Sequence, residues 1–299
     1  MRTVAIVGTG LIGTSIGLVL QANGVDVRLT DRNSDAVDAA VRRGAGRPMC
    51  DDDLPADLAV IAVPPGQVPA MVREAQLRHI ARRHTDVASV KTEPVRSARA
   101  MGCDMSTFVP GHPMGGSERS GPGAATPDLF RGVTWVLCPQ RETRQDAVDT
   151  VRDLALRCGA RPVVMDTETH DKATALVSHV PHVVASAMAA ALVGADPDAL
   201  RLAGRGVRDV TRIAAGNHTM WTEILAQNAR WTAAALSDVA AVLVEVSAAL
   251  QLAGTGDTSF LDVLTRLLRQ GISGRRALDT LPEPDHDSEP STRSTTWSS

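Results

Sequence analysis

The stretch VAIVGTGLIGTSIG, beginning at Val4, constrains this chain more than any other. A β-branched run passes into Gly8-x-Gly10-x-x-Gly13 and then into a helical pattern. That is the setting in which a glycine loop cradles a dinucleotide. Gly8 permits the tight turn, Gly10 admits the pyrophosphate to the backbone, and Gly13 lets the helix close on the strand. The helix start adds free N–H groups and a positive dipole end. Gly8, Thr9, Gly10, Leu11, Ile12 and Gly13 are therefore candidate cofactor contacts. Asp31 ends the next apolar run, where an acid accepts from the adenosine ribose and favours NAD. Arg32 beside it is a cation that a 2′-phosphate would accept. The plainer alternatives are a glycine turn without ligand and a solvated Asp31.

The first half goes on alternating β-branched runs with helical patterns. Strands are expected at residues 57–63, 86–90, 106–111, 134–139 and 160–166. Short continuous apolar runs suit strands buried on both faces, and helices between them imply right-handed crossovers and a largely parallel sheet. Beyond Asp166 the pattern becomes helical throughout, with helices expected at 168–194, 196–215, 218–227, 229–253 and 257–270. The expected fold is α/β: a Rossmann-type doubly wound parallel sheet over residues 1–166, then an all-α dimerisation and substrate domain over 167–280. A Pro/Ser/Thr/acid-rich tail over 281–299 is expected to be disordered. Two of the helices, from Thr174 and from Leu236, are apolar around most of their circumference. So small a helical domain cannot cover both, so a homodimer is expected.

Composition excludes more than it proposes. A net charge of −3 calls for neither nucleic acid nor an anionic membrane. Three Phe, four Trp and no Tyr leave little for stacking on bases. The four cysteines are widely spaced and read as reduced thiols of a cytoplasmic protein. No signal-peptide layout opens the chain, and no apolar run free of polar groups reaches the length of a membrane span.

The Ala-rich run 175–192 carries His179, Pro181 and His182 in one turn. An i, i+3 pair leaves a helix on one side, and Pro181 should kink it there. The pair is expected to face the cleft between the two halves. Zinc ligation and histidines satisfied inside a dimer core are the alternatives; metal-ligating helical pairs more often stand at i, i+4, and no metal is expected.

Five further segments occur in order: ASVK (88–91), GHPMGGSERSG (111–121), LFRGVTWVLCP (129–139), HDKATALVSHVPH (170–182) and GVRDVTRIAAGNHTMW (206–221). Together they resemble the prephenate dehydrogenases, and the closely similar arogenate dehydrogenases, over about residues 1–275. The resemblance implies an NAD-dependent oxidative decarboxylation of a cyclohexadienyl dicarboxylate with a 4-hydroxyl. It implies that His112 accepts from that hydroxyl and assists its deprotonation. It implies that Ser89 hydrogen-bonds His112 or the hydroxyl, and that Glu118 gates or positions the site. By the same resemblance Arg212 pairs a substrate carboxylate, and His179 and His182 line the pocket. A helix through 205–212 would put Arg205 and Arg208 on the face of Arg212. Glu93, where the family often has a small residue, would alter the pocket charge. Prephenate, arogenate and an amino-substituted prephenate remain open as substrates. A non-catalytic NAD-sensing dimer is the alternative of another class.

Overall fold

The computed structural model describes residues 1–116, 119–252, 258 and 260–280. Six strands form one wholly parallel sheet: β1 (Thr3–Val7), β2 (Asp26–Thr30), β3 (Arg47–Pro48), β4 (Leu58–Ile61), β5 (His84–Asp86) and β6 (Phe108–Val109). Their spatial order is β3-β2-β1-β4-β5-β6. The order reverses beside β1, so the crevice at the carboxyl ends of β1 and β4 is where such a sheet takes its ligand. Helices α1 (Leu11–Ala22), α2 (Ser34–Arg42), α3 (Val68–Leu77) and α4 (Thr92–Ala100) connect the strands. Burial follows the period of two. Val4, Ile6, Leu58 and Val60 join one core, while Ala5, Ala59 and Ile61 join the other.

Two expected strands differ. The run 86–90 is not a strand; β5 lies just before it and is polar, with His84, Thr85 and Asp86 all buried. Hydrophobic patterning has no purchase on a strand whose side chains are buried through hydrogen bonds. The run 106–111 is broken at Pro110, which has no N–H for the ladder. Beyond it β7 (Gly111–Pro113) leaves the main sheet and pairs antiparallel with β8 (Thr134–Leu137), itself parallel to β9 (Arg161–Val164). Between β8 and β9 runs α5 (Gln145–Arg157).

No strand follows Val164 among the described residues. The chain continues through α6 (Thr167–Thr174), one π turn (Ala175–His179) and α7 (Val180–Ala190). The π turn stands directly before Pro181, the residue that lacks an N–H for the α ladder, and widens the helix where a straight one would clash. The expected helix 196–215 is instead α8 (Pro197–Arg201), α9 (Arg205–Thr211) and a 3-10 turn (Arg212–Ala215). Ala203 and Gly204 interrupt it. After α10 (His218–Gln227) and α11 (Ala229–Leu252), the last helix is α12 (Phe260–Asp279), longer than its expected 257–270. The tail 281–299 lies outside the described residues.

Thr167–Ala190 and Ala229–Leu252 are long and apolar enough to cross a bilayer by length and composition, although neither is free of polar groups. Charge argues otherwise. Glu168, Asp171 and Lys172 stand in the first of these helices, Asp238 and Glu245 in the second, and Glu245 pairs with Arg266 of α12.

Candidate active site

At the glycine loop, the fold itself demands two of the three glycines. Gly8 has φ +103°, and a Cβ there would stand 2.3 Å from the Ala62 carbonyl oxygen. A Cβ on Gly13 would stand 2.0 Å from the Gly8 oxygen. Gly10 is different: nothing lies within 4 Å of where its Cβ would be. Folding leaves that residue free to be anything, so the open space above it is suited to a ligand that approaches the backbone. No side chain caps α1, and its first turn holds no acid. The residues thus fit a dinucleotide pyrophosphate.

Asp31 builds this loop as well as bordering it. Its Oδ2 accepts from the Thr9 N–H at 2.7 Å and the Thr9 hydroxyl at 3.2 Å, and its Oδ1 from the Asn33 N–H at 2.9 Å. A carboxylate accepts about four hydrogen bonds, so one position remains for a ribose hydroxyl. Arg32 is exposed beside it.

The second cluster lies where the sheet meets the helices. His112 is on β7, opposite Val136, rather than in a loop after a strand. Its Nδ1 lies 2.8 Å from His170 Nε2, and His170 Nδ1 lies 2.8 Å from Asp171 Oδ1. His112 Nε2 has no partner among the described residues and is not one of the sealed polar atoms. Burial pushes the His112 pKa well below the usual imidazole value, with the neighbouring His170, Lys91 and His179 adding to the effect. The ring is therefore neutral near pH 7, a base with a lone pair on offer.

The floor beneath is a buried ion pair. Lys91 Nζ bonds Asp86 and donates to the Gly111 carbonyl at 2.7 Å. Asp86 also accepts from the Ala88 N–H at 3.0 Å and the Gly111 N–H at 3.1 Å. The pair thus pins the loop that carries Ser89 to the strand that carries His112. The Ser89–His112 hydrogen bond, one of the two options the resemblance implied, is not made. His170 holds that nitrogen, and Ser89 Oγ is buried with no partner.

The helical half closes the site. Asn228 Nδ2 donates to the Asp171 carbonyl at 2.7 Å and lies 3.1 Å from His179 Nδ1. Burial brings the His179 pKa down to about 4. His182 stacks on Trp221, ring centroids 3.6 Å apart and planes 10° apart. A Cβ on Gly216 would meet the Trp221 ring nitrogen at 2.7 Å, so that glycine makes room for the stack. His179 Nε2, His182 Nδ1 and Ser89 Oγ are three of the five buried side-chain polar atoms without a partner among the described residues. Folded proteins rarely leave such atoms unpaired, and at a cleft they are the ones a ligand satisfies.

The 3-10 turn that carries exposed Arg212 packs against α7, the helix of His182. Arg205 and Arg208 stay on α9, and the change of helix type takes Arg212 out of their register. Glu93 bonds Arg96 of its own helix. Glu118 lies outside the described residues. Sequence reading missed His170, Asp171, Asp86, Asn228 and Trp221 as parts of the site. His170, Asp171 and Asn228 lie in or between helices and Asp86 at a strand end, where polar residues have ordinary solvated roles, and nothing in the sequence marks the Trp221 stack inside α10.

Comparison with known proteins gives this geometry a context. A family model described as "Prephenate dehydrogenase, nucleotide-binding domain" matches residues 16–164, and "Prephenate dehydrogenase, dimerization domain" matches 166–270. The chain is 41% identical over 278 residues to a protein of Streptomyces niveus described as "Probable prephenate dehydrogenase NovF", covering 92% of this chain and 76% of the relative. The crystal structure of Synechocystis arogenate dehydrogenase is 27% identical with a TM-score of 0.74, covering 93% of this chain and 100% of that one. The A. aeolicus prephenate dehydrogenase, solved with hydroxyphenyl propionate and NAD+, shares the fold at a TM-score of 0.81 and 24% identity, covering 93% and 98%.

Proposed function

The chain belongs to the prephenate dehydrogenase family of NAD-dependent oxidoreductases, and on that premise we propose how its residues divide the oxidative decarboxylation of prephenate to 4-hydroxyphenylpyruvate. The observation that carries this reading is the neutral His112 ring, with an unpartnered Nε2, on β7 just after the chain leaves the sheet whose glycine loop fits a dinucleotide. Gly8 to Gly13 and Asp31 hold NAD, which when bound takes up the hydride leaving ring C4. His112 Nε2 accepts the proton of the 4-hydroxyl as that carbon becomes a carbonyl. The ring carboxylate leaves as CO₂, its bonding pair completes the aromatic ring and makes the C4 carbonyl a phenolate, and that oxygen takes the proton back from His112 to give the 4-hydroxyl of the product. Ser89, with an unspent Oγ, orients the hydroxyl.

Arg212 pairs a carboxylate that persists in ground and transition states, because a guanidinium offers a fixed two-point match. His179 and His182 offer their unpartnered nitrogens to the remaining polar groups, and Trp221 holds the His182 plane. Burial lowers both imidazole pKa values, so they act as neutral hydrogen-bonding groups and not as cations. Glu118 belongs to this proposal on the resemblance alone.

The working unit is a homodimer. Only 6% of the most apolar window of α11 is buried within one chain, and the charges on that helix rule against lipid as its cover. Buried, reduced Cys103, Cys138 and Cys158 fit a cytoplasmic setting.

Steady-state assays with prephenate and arogenate, each with NAD and NADP, test the assignment. NAD with prephenate is expected to give the highest kcat/KM. Arg212→Ala should raise KM about 10–100-fold with little change in kcat. Preference for arogenate or NADP, or an unchanged KM, would overturn the corresponding part.

A further inference from the structure

The Asp171 carboxylate does not face solvent; it closes the N-terminus of a helix from the other half of the molecule. The Lys91 N–H donates to its Oδ1 at 2.8 Å and the Thr92 N–H to its Oδ2 at 2.8 Å. Helix α4 has no side-chain cap of its own, and these are two of the N–H groups that a helix start leaves without partners. The His170 Nδ1 shares Oδ1 at 2.8 Å. Burial works to raise the Asp171 pKa, but the hydrogen bonds from His170, Thr92 and Lys91 outweigh it and hold the carboxyl below its ordinary value.

An ionised carboxylate has no proton to give. The hydrogen between it and His170 must therefore lie on His170 Nδ1. In a neutral ring the lone pair then falls on Nε2, 2.8 Å from His112 Nδ1. That nitrogen of His112 must in turn carry its hydrogen, which leaves the His112 lone pair on Nε2. One carboxylate thus fixes two tautomers in succession.

We infer that His170 and Asp171 are positioning residues for His112, holding it in the tautomer whose Nε2 accepts the substrate's hydroxyl proton. The inference rests on His112 as the base. When Nε2 takes the proton, His112 becomes an imidazolium, and the hydrogen-bond chain that ends on the Asp171 carboxylate stabilises that charge while no further proton moves. The groups facing His112 are His170 from α6, His179 from the π turn and Lys91 from the loop before α4, whose charge Asp86 offsets. The device exists only while the helical half is docked, because β7 supplies His112, α6 supplies His170 and Asp171, and the α4 start fixes the carboxylate.

The test compares the full-length protein with Asp171→Asn, His170→Phe and His170→Gln. Nitrogen-15 spectra of histidine-labelled protein without substrate read the tautomers directly. The expected wild-type spectrum has His112 protonated on Nδ1, and Asp171→Asn and His170→Phe lose that preference. In kinetics, those two variants should lose about 10²–10³-fold in kcat with KM within about threefold. His170→Gln, whose amide oxygen still accepts from His112 Nδ1–H, should recover part of the loss. The acid limb of the kcat profile should move to lower pH in Asp171→Asn, because the imidazolium has lost its counter-charge. Wild-type His112 protonated on Nε2 would overturn the inference. So would losses in kcat no larger than the fall in folded fraction, with an unchanged pH profile. Should Asp171→Asn fail to fold, the His170 pair decides alone. If wild type turns over neither prephenate nor arogenate, the assigned reaction falls, while the spectra still decide the tautomers.

Discussion

The three glycines of the loop look alike in the sequence, yet they answer to different masters. Gly8 and Gly13 are required by backbone that a Cβ would strike, and Gly10 is required by nothing within the protein. Gly13→Ala is expected to cost folded yield. Gly10→Ala should leave the melting temperature within about two degrees while weakening NAD binding by about tenfold or more, since one methyl removes the close approach. Unaltered NAD affinity in Gly10→Ala would contradict the cofactor site. The buried histidines set an acid limit in the same way. Burial lowers the His84 and His179 pKa values to about 4, against 6.5 in the unfolded chain. Depressed values mean that the unfolded state binds protons first as pH falls. Their contribution is therefore complete above pH 6.5 and lost between 6.5 and about 4, on the order of 2–3 kcal/mol each. Thermal melts across that window should fall steeply, and His84→Gln should flatten the fall; a flat wild-type curve would contradict it.

At the level of elements, what the sequence displayed were those whose side chains meet only oil. β1 and β4 were readable because small and β-branched apolar residues fill both faces, β2 because Val27 and Leu29 hold one face although Arg28 occupies the other, and α10 and α11 because their apolar rows persist. β5 escaped because His84, Thr85 and Asp86 are buried by hydrogen bonds and an ion pair, which leave no hydropathy pattern. The π turn escaped too, although Pro181 marked its place. Among the site residues, His179 and His182 stood out as imidazoles in apolar company, and His112 came from the family resemblance alone. Asp171 did not, since an acid beside a helix start is ordinary until the partner helix is known. The exposed apolar run of α11 carries its own prediction. Light scattering over a dilution series should report a dimer, and Val244→Glu, at a position 68% exposed in one chain, should shift it to monomer. A wild-type monomer at all concentrations would leave that surface unexplained.

Across the whole molecule, each half supplies part of the candidate site. The first half brings the glycine loop, Ser89 and His112; the helical half brings His170, Asp171, His179 and His182. Asp171, hydrogen-bonded to the start of α4, joins the two sets, and Asn228 holds the Asp171 carbonyl from within the helical half. The account therefore has one central claim: docking the halves creates a neutral base that takes the 4-hydroxyl proton as hydride and CO₂ depart. The most direct measurement follows NADH and CO₂ together from prephenate and NAD, for wild type and His112→Asn, with dimer content and NAD affinity confirmed for both. The account predicts equal amounts of NADH and CO₂ from wild type, and a kcat about 10²–10⁴-fold lower in His112→Asn with similar KM. A His112→Asn protein that turns over at nearly the wild-type kcat would contradict it.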